Sequence, residues 1–130
     1  MRSRRARSCE GFSLVEIMVV VVIIGLLATA VALKVRHYVD RAKVNRARAD
    51  IATIVTALET YYAEHSGYPS NDEGLSVLPL TTLKDPWGRL YQYNQPAADH
   101  AYEVVSYGAD GREGGDGIDA DIHSWDLEPK

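Results

Sequence analysis

Seven acidic residues lie between Asp110 and Lys130, against only Arg112 and Lys130 as bases. Within that stretch residues 107–123 read YGADGREGGDGIDADIH and hold five of the chain's ten glycines. Carboxylates crowded into one loop repel one another unless a cation lies between them. Glycine frees a backbone to turn sharply and present its carbonyls. Calcium binds these two donor types, carboxylates and backbone carbonyls, in a flexible geometry. The stretch is not an EF-hand, because Arg112 stands at the third loop position counted from Asp110 and the acids are wrongly spaced. Composition leaves two readings open, a calcium site and a solvated acidic loop.

A second carboxylate stands out at the other end. Every residue from Ile17 to Leu33 is apolar except Gly25 and Thr29. Counted from Phe12, the run is long enough to cross a bilayer as a helix, which takes roughly 20 residues. Glu16 sits near its start, where a carboxylate is costly unless it finds a partner. Arg2, Arg4, Arg5, Arg7, Cys9 and Glu10 precede it in a short basic leader that closes on Gly11-Phe12. Read blandly, this is a single-pass anchor with Glu16 facing headgroups. An ordinary secretory signal would instead be cut after the apolar core, where Ala28-Thr29-Ala30 is a weak candidate.

The leader, Gly11, Phe12, Glu16 and the apolar run resemble the class III signal of type IV pilins and type II secretion pseudopilins. The resemblance implies cleavage after Gly11 by a prepilin peptidase on the cytoplasmic face and methylation of the new N-terminal Phe12. It also gives Glu16 a role in assembly. Charge alone leaves orientation ambiguous, since Lys34, Arg36, Arg41, Lys43, Arg46 and Arg48 follow the span. The resemblance implies an N-terminus inside and a single-pass inner-membrane anchor with a periplasmic domain.

The elements that must position these groups follow from the chain between them. No Pro occurs before Pro69 and no Gly between Gly25 and Gly67. Ile51, Val55, Leu58 and Tyr62 mark one apolar helical face, widened by Ile54 and Tyr61. Gly67 followed by Pro69 is a stop. A helix from about Ser13 to about His65 would be roughly 80 Å long at ~1.5 Å per residue. Tyr61 and Tyr62 read as core packing. Leu75 to Leu78 suit a short helical turn, and Pro79 and Asp85-Pro86-Trp87-Gly88 break the chain. Leu90 to Tyr93 and Ala101 to Ser106 alternate as an antiparallel hairpin around a turn at Asn94 to His100.

Charge and cysteine narrow the function. The chain has 130 residues and a net charge of −4, and without the leader's four Arg and Glu10 it keeps 10 bases and 17 acids, a net of −7. That balance argues against nucleic acid as partner, which needs a basic face. The only cysteine is Cys9, so a mature domain would have no disulfide to fix its loops. His37, His65, His100 and His123 have no ligand spacing and read as surface residues. No nucleophile elbow, zinc-protease or P-loop motif is present, which argues against an enzyme.

Gly67-Tyr68-Pro69, Glu73-Gly74-Leu75, Asp85-Pro86-Trp87-Gly88, Tyr91-Gln92-Tyr93, Ser106 to Gly111 and Asp119 to Ile122 resemble the major pseudopilins of type II secretion, the general secretion pathway G family. The similarity covers Gly11 to about Trp125. One departure is clear: between Leu78 and Lys84 the family has a longer segment, and here only Pro79 to Leu83 remains. The resemblance implies a type IV pilin-like α+β fold, with a long N-terminal helix packed on a small antiparallel sheet. Its divisions are a leader (1–11), a transmembrane and polymerisation helix (12–34), an amphipathic helix half (35–66) and a globular domain (67–130). It implies calcium in the tail loop, with Asp110, Asp119 and Asp121 as side-chain ligands, backbone oxygens near Tyr107 and Gly115, and Asp116 as a weaker candidate. It implies a homopolymer working with minor pseudopilins, the prepilin peptidase and an inner-membrane secretion platform. Two other readings are a type IV pilin for adhesion, motility or DNA uptake, and a monomeric membrane-anchored domain binding divalent cations.

Overall fold

The computed structural model describes residues 10–127, so Cys9 and the arginines of the leader lie outside the described residues. One helix, α1, runs Leu14–His65 over 52 residues. The chain divides into two compact units at His37 and Tyr38. In the first unit the apolar side chains of α1 lie open: Leu14 is 78% exposed and Leu26 68%. An 18-residue window of this helix is apolar enough to cross a membrane, and none of it is buried. Within it the Thr29 hydroxyl donates to the Gly25 carbonyl at 2.9 Å. That local bond satisfies the one hydroxyl of the apolar run, as a bilayer demands.

The second unit is built on the rest of α1. Ala47, Ile51, Ile54 and Leu58 are its buried residues. Their spacing of four, three and four residues makes one stripe. The stripe is rotated from the one expected through Val55 and Tyr62: Val55 is half-buried and Tyr62 47% exposed. Both stripes share Ile51 and Leu58, so the sequence alone did not separate them. What packs on the helix decides. Tyr61 joins the core, whereas the Tyr62 ring lies over Tyr68 with centroids 4.8 Å apart. Tyr62 is therefore not a core residue. The helix stops as Ser66 takes a left-handed conformation (φ 57°) while its N–H bonds Tyr62 O at 2.8 Å. Ser66 makes the turn that glycine usually makes, one residue ahead of Gly67.

A single 3₁₀ turn, Gly74–Val77, follows. Then come β1 (Gln92–Asn94), β2 (Glu103–Ser106), a second 3₁₀ turn (Gly117–Asp119) and β3 (Ile122–His123). The three strands form one antiparallel sheet in the order β1-β2-β3. Tyr93 faces Val104 across the first pair, and Ser106 faces Ile122 across the second. The expected hairpin is present in shortened form. The third strand, formed by the tail folding back on β2, leaves no mark in the sequence, because two residues are too few to show alternation. As the central strand, β2 buries Val104, Val105 and Ser106 to 1% or less. Leu75, Leu78, Tyr91, Val104 and Ile122 close the core over the helix stripe.

Candidate functional site

Two places carry polar groups with work to do. The first is the start of α1. The backbone N–H of Ser13 donates to Glu16 Oε2 at 3.0 Å, and the Glu16 N–H donates to Ser13 Oγ at 3.2 Å. This is a reciprocal capping box, in which two N–H groups left orphaned by the helix start find side-chain oxygens. Ser13 also accepts the Ile17 N–H on its carbonyl at 3.3 Å. Glu16 thus has a partner inside its own chain. The pattern S-x-x-E was legible in the sequence, but the apolar run drew attention to Glu16 as an intruder rather than as a cap.

The second place is the glycine-rich loop between β2 and β3. Its frame begins at Asp85, a buried carboxylate with 6% exposure. Asp85 Oδ1 accepts the N–H of Trp87 at 3.1 Å and of Arg89 at 2.8 Å. Its Oδ2 accepts the hydroxyl of Ser106, the last residue of β2, at 3.0 Å. The turn 85–89 is thereby locked to the strand from which the loop departs. Gly88 supplies the positive φ (88°) that brings Arg89 back to Asp85. From there Arg89 Nη1 donates to the carbonyls of Gly108 (3.1 Å) and Ala109 (2.8 Å).

The loop itself is tightly folded. The Ala109 N–H donates to Ile118 O at 2.9 Å, and the Gly111 N–H to Tyr107 O at 3.1 Å. Gly108 and Gly115 both press on the backbone of Asp119, where an added Cβ would come within 2.7 Å of the Asp119 carbonyl oxygen. Asp121 Oδ2 accepts the Gly114 N–H at 2.8 Å. Its other oxygen, Oδ1, is buried and has no hydrogen-bond partner among the described residues. A carboxylate oxygen left bare in a protein interior is expensive.

The residues proposed from sequence are distributed as follows. Asp121 enters the loop directly. Asp119 enters through its backbone, which both glycines meet. Asp110 is exposed and accepts the Arg112 N–H on Oδ1 at 3.1 Å. Asp116 is exposed just ahead of the second 3₁₀ turn, and its carbonyl accepts the Asp119 N–H at 3.1 Å. Glu113 is exposed. Among the described residues no three carboxylate, imidazole or thiol groups gather as a metal cage. The residues present fit a cation that takes one carboxylate oxygen, Asp121 Oδ1, and completes its shell with backbone carbonyls. That donor mixture suits a hard oxygen-seeking ion rather than zinc.

Beside the loop, His123 is half-buried rather than superficial. Its Nδ1 lies 2.9 Å from Glu103 Oε1, and its ring stacks on Trp125 at 4.7 Å. The hydroxyls of Tyr68 and Tyr102 both donate to Glu59. Burial raises the Tyr102 phenol well above its ordinary value, and the bond to Glu59 raises it further.

A helix with an exposed apolar first half, and a head of three short strands, define the pilin-like class of α+β subunits. The profile described as "Type II secretion system (T2SS), protein G" matches residues 34–81 and 78–125, and the prokaryotic N-terminal methylation motif matches residues 6–32. The two segments of the first match overlap at 78–81, within the stretch between Leu78 and Lys84. The type II secretion system core protein G of Pseudomonas aeruginosa is 42% identical over 138 residues, covering 92% of this chain and 97% of the relative. That of Vibrio cholerae is 36% identical, covering 96% and 97%. The crystal structure of the major pseudopilin from the type 2 secretion system of enterohaemorrhagic Escherichia coli superposes with a TM-score of 0.55 at 24% identity, over 68% of this chain and 90% of that one. The chain belongs to the type II secretion system protein G family, the major pseudopilins.

Proposed function

We infer that this chain polymerises in the periplasm as the structural subunit of a pseudopilus that drives folded proteins across the outer membrane. The observation that carries the inference is the first half of α1. Its apolar surface has no partner among the described residues, yet it opens on a carboxylate. In the precursor the helix sits in the inner membrane, where the capping box keeps Glu16 satisfied. Cleavage after Gly11 releases the amine of Phe12. Glu16 of one copy then pairs with that amine on a neighbour, which relieves the cost of two desolvated charges. The apolar helices exchange lipid for one another as the filament core. Minor pseudopilins and an inner-membrane platform complete the machine. A Glu16→Val precursor, expressed with its peptidase and platform, is expected to insert, be cleaved and be methylated without forming filaments. Filaments of wild-type abundance from that variant would sink the pairing role.

In the head, calcium is the cation that Asp121 would hold, with Asp119, Asp110 and Asp116 and the carbonyls near Tyr107 and Gly115 as further candidates. When bound it supplies a positive centre that ties the returning tail to the loop, the task a disulfide performs elsewhere. Asp121 presents its bare oxygen and orients the loop through the Gly114 N–H. Bound calcium is expected to raise the melting temperature of the wild-type protein and to leave an Asp121→Asn protein unmoved.

A further inference from the structure

We propose that Arg89 is the positioning residue of the glycine-rich loop, a tethered cation that closes the loop's entry arm before any divalent ion arrives. Two consecutive carbonyls, Gly108 O and Ala109 O, converge on a single guanidinium nitrogen at 3.1 and 2.8 Å. Consecutive carbonyls share a direction only where the backbone departs from extended geometry, and Gly108 does so with φ +61°. The guanidinium also passes beneath Gly111, where an added Cβ would lie 2.3 Å from Arg89 Nε and 2.6 Å from Cζ. Gly111 is therefore the gap through which the arginine reaches the loop. The arginine does not wander into this position. Its own N–H is fixed to Asp85 Oδ1 at 2.8 Å, and Asp85 is fixed to the end of β2 through Ser106.

The loop thus has two arms with different fates. The entry arm, 107–111, is held by Arg89 without metal. The exit arm ends at Asp121, whose Oδ1 is buried and bare among the described residues. A binding site whose competent form is already populated keeps its intrinsic affinity, whereas one that must first order pays in proportion. Arg89 accordingly sets how much of the loop a divalent ion has to organise. Lysine keeps the charge on a flexible stem but lacks the planar guanidinium seated beneath Gly111, so it holds the two carbonyls less firmly.

The test uses the full mature chain in detergent micelles, as wild type, Arg89→Ala, Arg89→Lys, Gly111→Ala and the Arg89→Ala/Gly111→Ala pair. Amide hydrogen exchange over residues 107–121 is measured in EGTA. Arg89→Ala is expected to exchange there at least about ten-fold faster, the equivalent of losing one charge-assisted bond. Amides around Ile54 and Leu58 should stay as slow as in wild type. Arg89→Lys should recover part of the protection. Gly111→Ala should mimic Arg89→Ala, and in the pair its effect should shrink, because the guanidinium it displaces is gone. Calorimetric titration with calcium chloride should show Arg89→Ala binding more weakly by a similar factor. This second comparison rests on the calcium reading; the exchange comparison does not. Wild-type exchange in Arg89→Ala, or faster exchange with undiminished calcium affinity, overturns the assignment. A wild-type protein that takes up no calcium removes the calcium reading and leaves Arg89 to be judged on exchange alone.

Discussion

Removing the carboxylate of Asp85 should unfasten the head more than any exposed acid could. Asp85 is 6% exposed and accepts three hydrogen bonds, from the N–H groups of Trp87 and Arg89 and the hydroxyl of Ser106. In Asp85→Ala all three donors lose their acceptor. Ser106 is 1% exposed, so water cannot reach its hydroxyl. Leaving it bare costs about 1–3 kcal/mol. The two N–H groups belong to a surface turn and recover water, which brings their loss down to about 1 kcal/mol each. The total is about 3–5 kcal/mol, a large share of a small domain's ~5–15 kcal/mol. For a unit of this size that corresponds to a melting temperature lower by at least about 12 °C. Near-ultraviolet circular dichroism of Trp87 and Trp125, followed on heating the detergent-solubilised mature chain, reads it out. Asp85→Asn separates geometry from charge. Its amide oxygen can accept both N–H groups while its NH₂ donates to Ser106 Oγ, so it should cost under about 1.5 kcal/mol. An alanine variant losing less than about 1 kcal/mol, or an asparagine variant as unstable as alanine, would refute this account.

Other perturbations follow the same logic. Leu58→Ala empties a site with no exposure in the middle of the helix stripe; a loss of about 2–5 kcal/mol is expected by thermal melting, and a loss below about 1 kcal/mol would mean that the stripe is misplaced. Gly108→Ala combines a positive φ with a Cβ 2.7 Å from Asp119, and should speed proteolysis of the tail loop in calcium as well as in EGTA. Alkali should unfold the head. Burial holds the Tyr93 phenol up at about 12, aided by the charges of Tyr68 and Glu73, and burial likewise raises Tyr91 and Tyr102. Folding favours the protonated phenol, so this stability is fully present below the unfolded value near ~10 and drains away as pH climbs towards ~12. Phenolate absorbance and helical circular dichroism should therefore change together above pH ~10; phenolate growth complete by pH ~10.5 in a folded head would contradict it. Asp121→Asn should abolish the calcium-dependent rise in melting temperature while leaving the calcium-free melt within about 1 kcal/mol of wild type.

The anchor, the long helix and the class are legible in the residues alone. A long apolar run behind Gly11-Phe12, with no Pro before Pro69 and no Gly between Gly25 and Gly67, leaves the backbone no better choice than one long helix. The glycines and acids of 107–123 make the loop a candidate for a cation from sequence alone, because their chemistry is local. Tertiary structure alone decided the rest. Ile51 and Leu58 belong to two equally apolar stripes, and only the sheet's position selects Ile54 over Val55. The third strand is two residues long and exists because β2 offers it an edge. Arg89 reads as an ordinary surface base until the Asp85 turn folds it under Gly111, nineteen positions from its first carbonyl partner. Composition can tell which residues could meet a cation; it cannot tell that Asp110 points its oxygen at its own turn while Asp121 keeps one buried and, among the described residues, bare. Such pairings form between parts of the chain that no local pattern connects, and the folded core is what brings them within reach.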